Sequence, residues 1–202
     1  MPRKGCSKCG YCNPITQHTS VCKDKYNAVR SRTYKEDGSN FKIMYRSGSV
    51  LKIFSRDNVT LAQDITVKYQ RFVKVEDAKG LGVAYVMRNF DGILSMGFKP
   101  ISIGKSTMSG SAINQGLVKD PVFAFFLGYN RGVNLTLGGY NETNFEGGDL
   151  HYVDLQSATY WQIDLDIVEV GYGYSLGKTN DIVNSGTSLL VCPTSEVAKI
   201  SE

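Results

Sequence analysis

Between Thr33 and Val191 the chain is a succession of short runs rich in β-branched and aromatic residues, divided by Gly, Ser and Asn turns. Runs of roughly four to eight such residues between turn residues read as strands, and a chain built from them is all-β. Phe41-Lys42-Ile43-Met44-Tyr45 partly alternates apolar and polar residues, Arg46-Ser47-Gly48-Ser49 supplies a turn, and Val50-Leu51-Lys52-Ile53-Phe54 resumes. This predicts a β-hairpin. Residues 59–61, 65–69, 72–75, 90–94, 150–155 and 160–170 read as further strands. Residues 122–127 form a continuous apolar run, as expected of a buried strand. Asn134-Leu135-Thr136-Leu137-Gly138-Gly139-Tyr140 is a strand followed by a glycine turn. Ile182-Val183 and Leu189-Leu190-Val191 are two strands around the polar turn Asn184-Ser185-Gly186-Thr187-Ser188. Two short segments read as helical: residues 111–118, and a second opened by Pro193-Thr194-Ser195-Glu196 with Thr194 as N-cap, running to Ile200.

At 202 residues the chain is one large domain or two small ones. The net charge of +4 is mild. Basic residues are spread out, apart from Lys23, Lys25, Arg30, Arg32 and Lys35, and no basic stripe is interleaved with aromatics. Nucleic acid is therefore not expected as a partner. No apolar run reaches the length of about 18 residues that a membrane span needs.

Four of the five cysteines, Cys6, Cys9, Cys12 and Cys22, fall close together near the start. Their spacing would suit zinc or part of an iron–sulfur site. No histidine is spaced to complete such a site, so no metal is expected. Disulfides stapling a loop-rich segment are the expected use, with the connectivity left open. Cys192 follows Leu189-Leu190-Val191 and is expected as a buried thiol. Three N-x-[ST] sequons, at Asn58, Asn134 and Asn141, are glycosylation candidates. With the cysteines they point to the secretory route, extracellular or lysosome-like. Met1-Pro2-Arg3-Lys4-Gly5-Cys6 lacks the apolar stretch of a signal peptide, which suggests a truncated start.

Six segments in order resemble the pepsin-like aspartic peptidases. Tyr45-Arg46-Ser47-Gly48-Ser49 resembles the tip of that family's flap, the hairpin that closes over substrate. Phe90-Asp91-Gly92-Ile93-Leu94, Gln115-Gly116-Leu117-Val118, Leu137-Gly138-Gly139 and Tyr160-Trp161-Gln162-Ile163 are similar to further family segments. Residues 182–193 resemble the strand–loop–strand around the second catalytic aspartate. The resemblance implies an incomplete bilobal fold: a cysteine-rich segment over 1–24, most of a first lobe over 25–153 and the start of a second over 154–202. It further implies a monomer without cofactor, acting on or binding a peptide or protein. Tyr45, Ser47, Gly48, Phe90, Ile93, Gly186, Thr187 and Ser188 would contact that peptide.

In this family two carboxylates share a proton, since like charges that close cannot both ionise. The ionised member takes a proton from water, which attacks the peptide carbonyl, while the protonated member donates to the carbonyl oxygen. Each lobe supplies one aspartate from a D-[ST]-G loop. No D-T-G or D-S-G occurs in this sequence, and Asn184 stands at the second aspartate position. Asn is nearly isosteric with Asp but does not ionise, so it cannot act as the general base or share the proton. Arg46 also replaces the small glycine usual after the flap tyrosine. The expectation is an aspartic endopeptidase relative that is inactive as given. The alternatives are a peptide- or partner-binding pseudo-peptidase and a fragment of an active endopeptidase.

Overall fold

The computed structural model describes residues 25–45, 48–75, 90–128, 132–145, 149–187 and 189–201, with the backbone alone over 40–45 and 48–52 and at 201. Within them the chain is mostly β with small helices. These residues fall into two compact units, one made of those within 1–96 and 106–140, the other of those within 97–105 and 141–202.

In the first unit an antiparallel meander joins β1 (Lys35–Tyr45), β2 (Gly48–Ala62) and β3 (Ile65–Val75). The expected hairpin is present, with Tyr45 paired to Gly48 and Ile43 to Val50. The runs 50–54 and 59–61, expected as separate strands, are one strand, and so are 65–69 and 72–75. Ser55-Arg56-Asp57-Asn58 reads as a break because it is polar. The ladder continues through it with Asp57 and Asn58 finding partners, as described below, although the buried Ser55 hydroxyl has none among the described residues. Between the pairs Asp57–Gln70 and Val59–Val67, β3 carries one residue more than β2, and Tyr69 takes φ +52°. That is a β-bulge, and its cost is offset locally: the Tyr69 N–H donates to Asn58 Oδ1 at 3.1 Å.

Below the bulge, fully buried Val67 packs with Met108 and Ala112 of α1 (Met108–Asn114), with Val59, Leu61, Leu117 and Val118 around them. The helix starts three residues earlier than the predicted 111–118, because Thr107 caps it, accepting the Gly110 N–H at 3.1 Å. It ends before Gly116, whose φ of +64° breaks the helical path. Gln115 then clamps β3: its Oε1 accepts the Lys68 N–H at 2.9 Å, and its Nε2 donates to the Lys68 carbonyl at 3.0 Å.

β4 (Phe123–Gly128) and β5 (Gly132–Leu137) form a two-stranded sheet. The expectation of a buried strand over 122–127 is corrected: among the described residues β4 pairs with β5 alone, and Leu127 is 70% exposed. Residues 90–94 are likewise not a strand, and Ile93 is 73% exposed. The turn after β5 needs glycine. Gly138 has φ +77°, and a Cβ there would lie 3.1 Å from Val118 Cβ. The Q-G-L-V and L-G-G segments thus meet in space.

The second unit holds a sheet in the order β10–β7–β6, formed by β6 (Leu155–Ala158), β7 (Trp161–Leu165) and β10 (Thr179–Ile182), and a hairpin of β8 (Val168–Val170) and β9 (Tyr174–Leu176). The expected strand 150–155 starts only at Leu155, and the expected strand 160–170 is broken after Leu165. Phe98 and Trp161 stack with ring centroids 4.5 Å apart, and the Phe98 N–H bonds to the Thr159 carbonyl at 3.1 Å. α2 spans Thr194–Ser201. Thr194 is its first residue rather than its N-cap, since the Pro193 carbonyl accepts the Glu196 and Val197 N–H groups. Among the described residues no helix is long and apolar enough to cross a membrane.

Candidate functional site

The loop at 184–187 is built from β10. That strand runs antiparallel to β7 with Ile182 opposite Gln162, and the Val183 N–H extends the ladder to the Trp161 carbonyl at 2.9 Å. The next residue, Asn184, is therefore held at the edge of a paired strand. Its Oδ1 accepts the Gly186 N–H at 2.8 Å, an Asx turn, and its Nδ2 donates to Thr187 Oγ1 at 2.8 Å. Gly186 is close-fitting, because a Cβ there would meet Asn184 Oδ1 at 3.1 Å. Asn184, Gly186 and Thr187 are thus brought together in one exposed turn.

An aspartate would fit the same turn. One carboxylate oxygen would accept from Gly186, and the other would accept from the Thr187 hydroxyl, which would turn from acceptor to donor. Asn184 keeps the geometry and gives up the charge. Leu189-Leu190-Val191 after the loop is not a strand, which corrects that expectation, and Leu190 is wholly exposed. Cys192, expected as a buried thiol, is an exposed one.

Of the other predicted contact residues, Tyr45 and Gly48 face each other as the last and first residues of β1 and β2. Phe90 is about one-third exposed and lies with Ile93 in the irregular segment before residue 97. Ser47 and Ser188 lie outside the described residues, as do Cys6, Cys9, Cys12 and Cys22. Among the described residues no group of three or more His, Cys, Asp or Glu side chains is placed to hold a metal.

Two ionic arrangements escaped the sequence reading. Asp57, 3% exposed, accepts from Tyr26 Oη, Thr33 Oγ1, Ser31 Oγ at 2.9 Å and the Asn58 N–H at 2.8 Å. Burial pushes its carboxyl up, but these hydrogen bonds outweigh burial and hold it below the usual carboxylate range. Asp37 takes a two-pronged contact from Arg71, Nε at 2.9 Å and Nη2 at 3.0 Å, while that guanidinium lies 3.8 Å from the Phe54 ring centre. An acidic residue interrupting an apolar strand pattern was the available signal for Asp57. Its three side-chain donors lie 24 to 31 residues away in sequence.

The family profile described as eukaryotic aspartyl protease matches residues 7–202. The chain is 39% identical over 186 residues to phytepsin of Hordeum vulgare, covering 88% of this chain and 36% of phytepsin. It is 37% identical over 183 residues to cathepsin D of Gallus gallus, covering 87% of this chain and 45% of that protein. It is 38% identical over 175 residues to a probable vacuolar protease A of Arthroderma benhamiae, covering 84% of this chain and 43% of that one. The chain thus spans less than half the length of each of these relatives.

Proposed function

The chain belongs to the eukaryotic aspartyl protease family, and from that membership we propose that its residues hold an extended peptide without hydrolysing it. The observation that carries this reading is the Asn184 turn. Both side-chain atoms that an aspartate would present are tied into the loop, and neither ionises. Hydrolysis by this family's chemistry needs a carboxylate to take a proton from water, and the 202 residues contain no D-T-G or D-S-G to supply one elsewhere.

In this proposal residues 25–153 are first-lobe and 154–202 second-lobe structure. Tyr45, Ser47, Gly48, Phe90, Ile93, Gly186, Thr187 and Ser188 are the peptide-contacting residues. The exposed apolar side chain of Ile93 supports such a role, since it is free to cover a ligand. The protein acts as a monomer in a secretory or vacuole-like compartment. One relative's name, vacuolar protease, favours that compartment.

The test is calorimetric titration with a pepstatin-like peptide, beside a cleavage assay on an unfolded protein across the acid range. Binding without cleavage is expected. Cleavage that disappears in Asn184→Ala would show that the loop retains chemistry and would end the proposal, as would failure to bind any extended peptide.

A further inference from the structure

The three sequons are alike in sequence, each an Asn two residues before a Thr, but the fold treats them differently. Asn58 sits in β2, where its Oδ1 is occupied by the Tyr69 N–H, and Thr60 Oγ1 pairs across the sheet with Thr66 Oγ1 at 2.9 Å. Asn134 and Thr136 lie in β5, opposite Phe126 and Ala124. Among the described residues no hydrogen bond joins the Asn134 and Thr136 side chains. Asn141 is in neither situation. It is exposed and precedes a single helical turn, Glu142–Asn144. Its Oδ1 accepts both the Thr143 N–H at 3.0 Å and the Thr143 hydroxyl at 2.9 Å.

We propose that Asn141 is the preferred N-glycosylation site of this chain, accepting a sugar from a lipid-diphosphate-linked oligosaccharide. The inference rests on the luminal placement proposed above, not on peptide binding. In the transfer, Asn141 Nδ2 attacks the anomeric carbon of the sugar. The carbon–oxygen bond to the diphosphate breaks, the lipid diphosphate leaves, and one Nδ2 proton passes to a base on the transferase. An amide nitrogen is a poor nucleophile because its lone pair is delocalised into the carbonyl. Two donors on Oδ1 stabilise the negative charge that gathers there as Nδ2 loses its proton. The Thr143 hydroxyl, required by the sequon, already stands in that position. The contacts span only residues 141–143, so the turn forms without the rest of the fold and is available while the chain is being made. A sugar on Asn141 projects from an exposed turn, whereas one on Asn58 would be attached beside buried Asp57.

The test is expression of the full 202-residue chain in a eukaryotic host, with an appended leader directing it into the lumen. Site occupancy is then read peptide by peptide by mass spectrometry after enzymatic removal of the sugar. The leader makes the result independent of the natural location, and occupancy does not depend on peptide binding, so failure here and failure of the proposed function are separate results. Occupancy at Asn141 several-fold above that at Asn58 and at Asn134 is expected. It should fall in Thr143→Ser and vanish in Thr143→Ala, without change at the other two sequons. A bare Asn141, or equal occupancy at Asn58 or Asn134, would overturn the proposal.

Discussion

Asn184 Oδ1 and the backbone nitrogen of Gly186 lie 2.8 Å apart, and this contact shapes the loop independently of any charge on residue 184. Asn184→Asp should therefore leave the melting temperature nearly unchanged, because a carboxylate accepts the same N–H. Asn184→Ala removes the Gly186 and Thr187 contacts and should cost about 1 kcal/mol, the usual net value of a hydrogen bond at an exposed turn. Neither variant should gain peptidase activity, since one carboxylate has no partner to share its proton. Thermal melts beside a peptide-cleavage assay check both statements, and robust cleavage by Asn184→Asp would contradict the second.

What was legible in the sequence was local. The Tyr45–Gly48 hairpin, the glycine turn after Leu137 and the polar turn at 184–187 each follow from a few adjacent residues with restricted backbone chemistry. What was not legible depended on distant partners. The bulge at Tyr69 relies on Asn58 from the neighbouring strand, and the polar stretch 55–58 stays in the ladder because Tyr26, Ser31 and Thr33 satisfy Asp57. Apolar runs at 122–127 and 189–191 misled in the opposite direction. Composition gives them strand propensity, but burial is decided by what packs against them, and on that the composition is silent.

Asp57 makes the first unit sensitive to acid. Its folded-state pKa lies below the unfolded value of about 3.9. Its contribution is therefore full above that value and is lost as pH falls through the lower, folded one. Asp57→Asn should flatten this acid limb. It should also cost about 2 to 3 kcal/mol at neutral pH, because its NH₂ faces hydroxyl donors and charge-assisted hydrogen bonds are lost. Denaturant melts of both proteins at stepped pH measure the difference. An unchanged acid limb in the variant would rule Asp57 out as its source.

Gly138 joins the strand β5 to its turn with φ +77° and stands against Val118. Gly138→Ala places a methyl group in the left-handed region and within 3.1 Å of Val118 Cβ. A loss of about 1 to 3 kcal/mol is expected. Gly177→Ala is the control, since nothing lies within 4 Å of its added Cβ, and it should be neutral or slightly stabilising. Equal effects of the two substitutions would show that the close approach at Gly138 carries no energy.

Gln115 offers a test of a single side chain bonded in both directions to one residue of β3. Its Oε1 accepts from the Lys68 nitrogen and its Nε2 donates to the Lys68 carbonyl. Gln115→Ala loses both bonds and should cost about 1 kcal/mol, with no dependence on pH. Gln115→Glu keeps the acceptor but turns an oxygen, negatively charged at neutral pH, toward a carbonyl. It should be at least as unstable as the alanine variant at pH 7. Protonation restores a donor, so the folded state binds the proton more tightly than the unfolded chain, and the folded pKa of the new carboxyl lies above about 4.3. Stability linked to that proton is lost as pH rises through the folded value and is present below the unfolded one. The glutamate variant should therefore regain stability relative to the alanine variant as pH falls through the folded value, the gain being complete below about 4.3. Parallel pH profiles for the two variants would show that the Nε2 bond to Lys68 contributes nothing, leaving the acceptor bond as the whole of the clamp between α1 and β3.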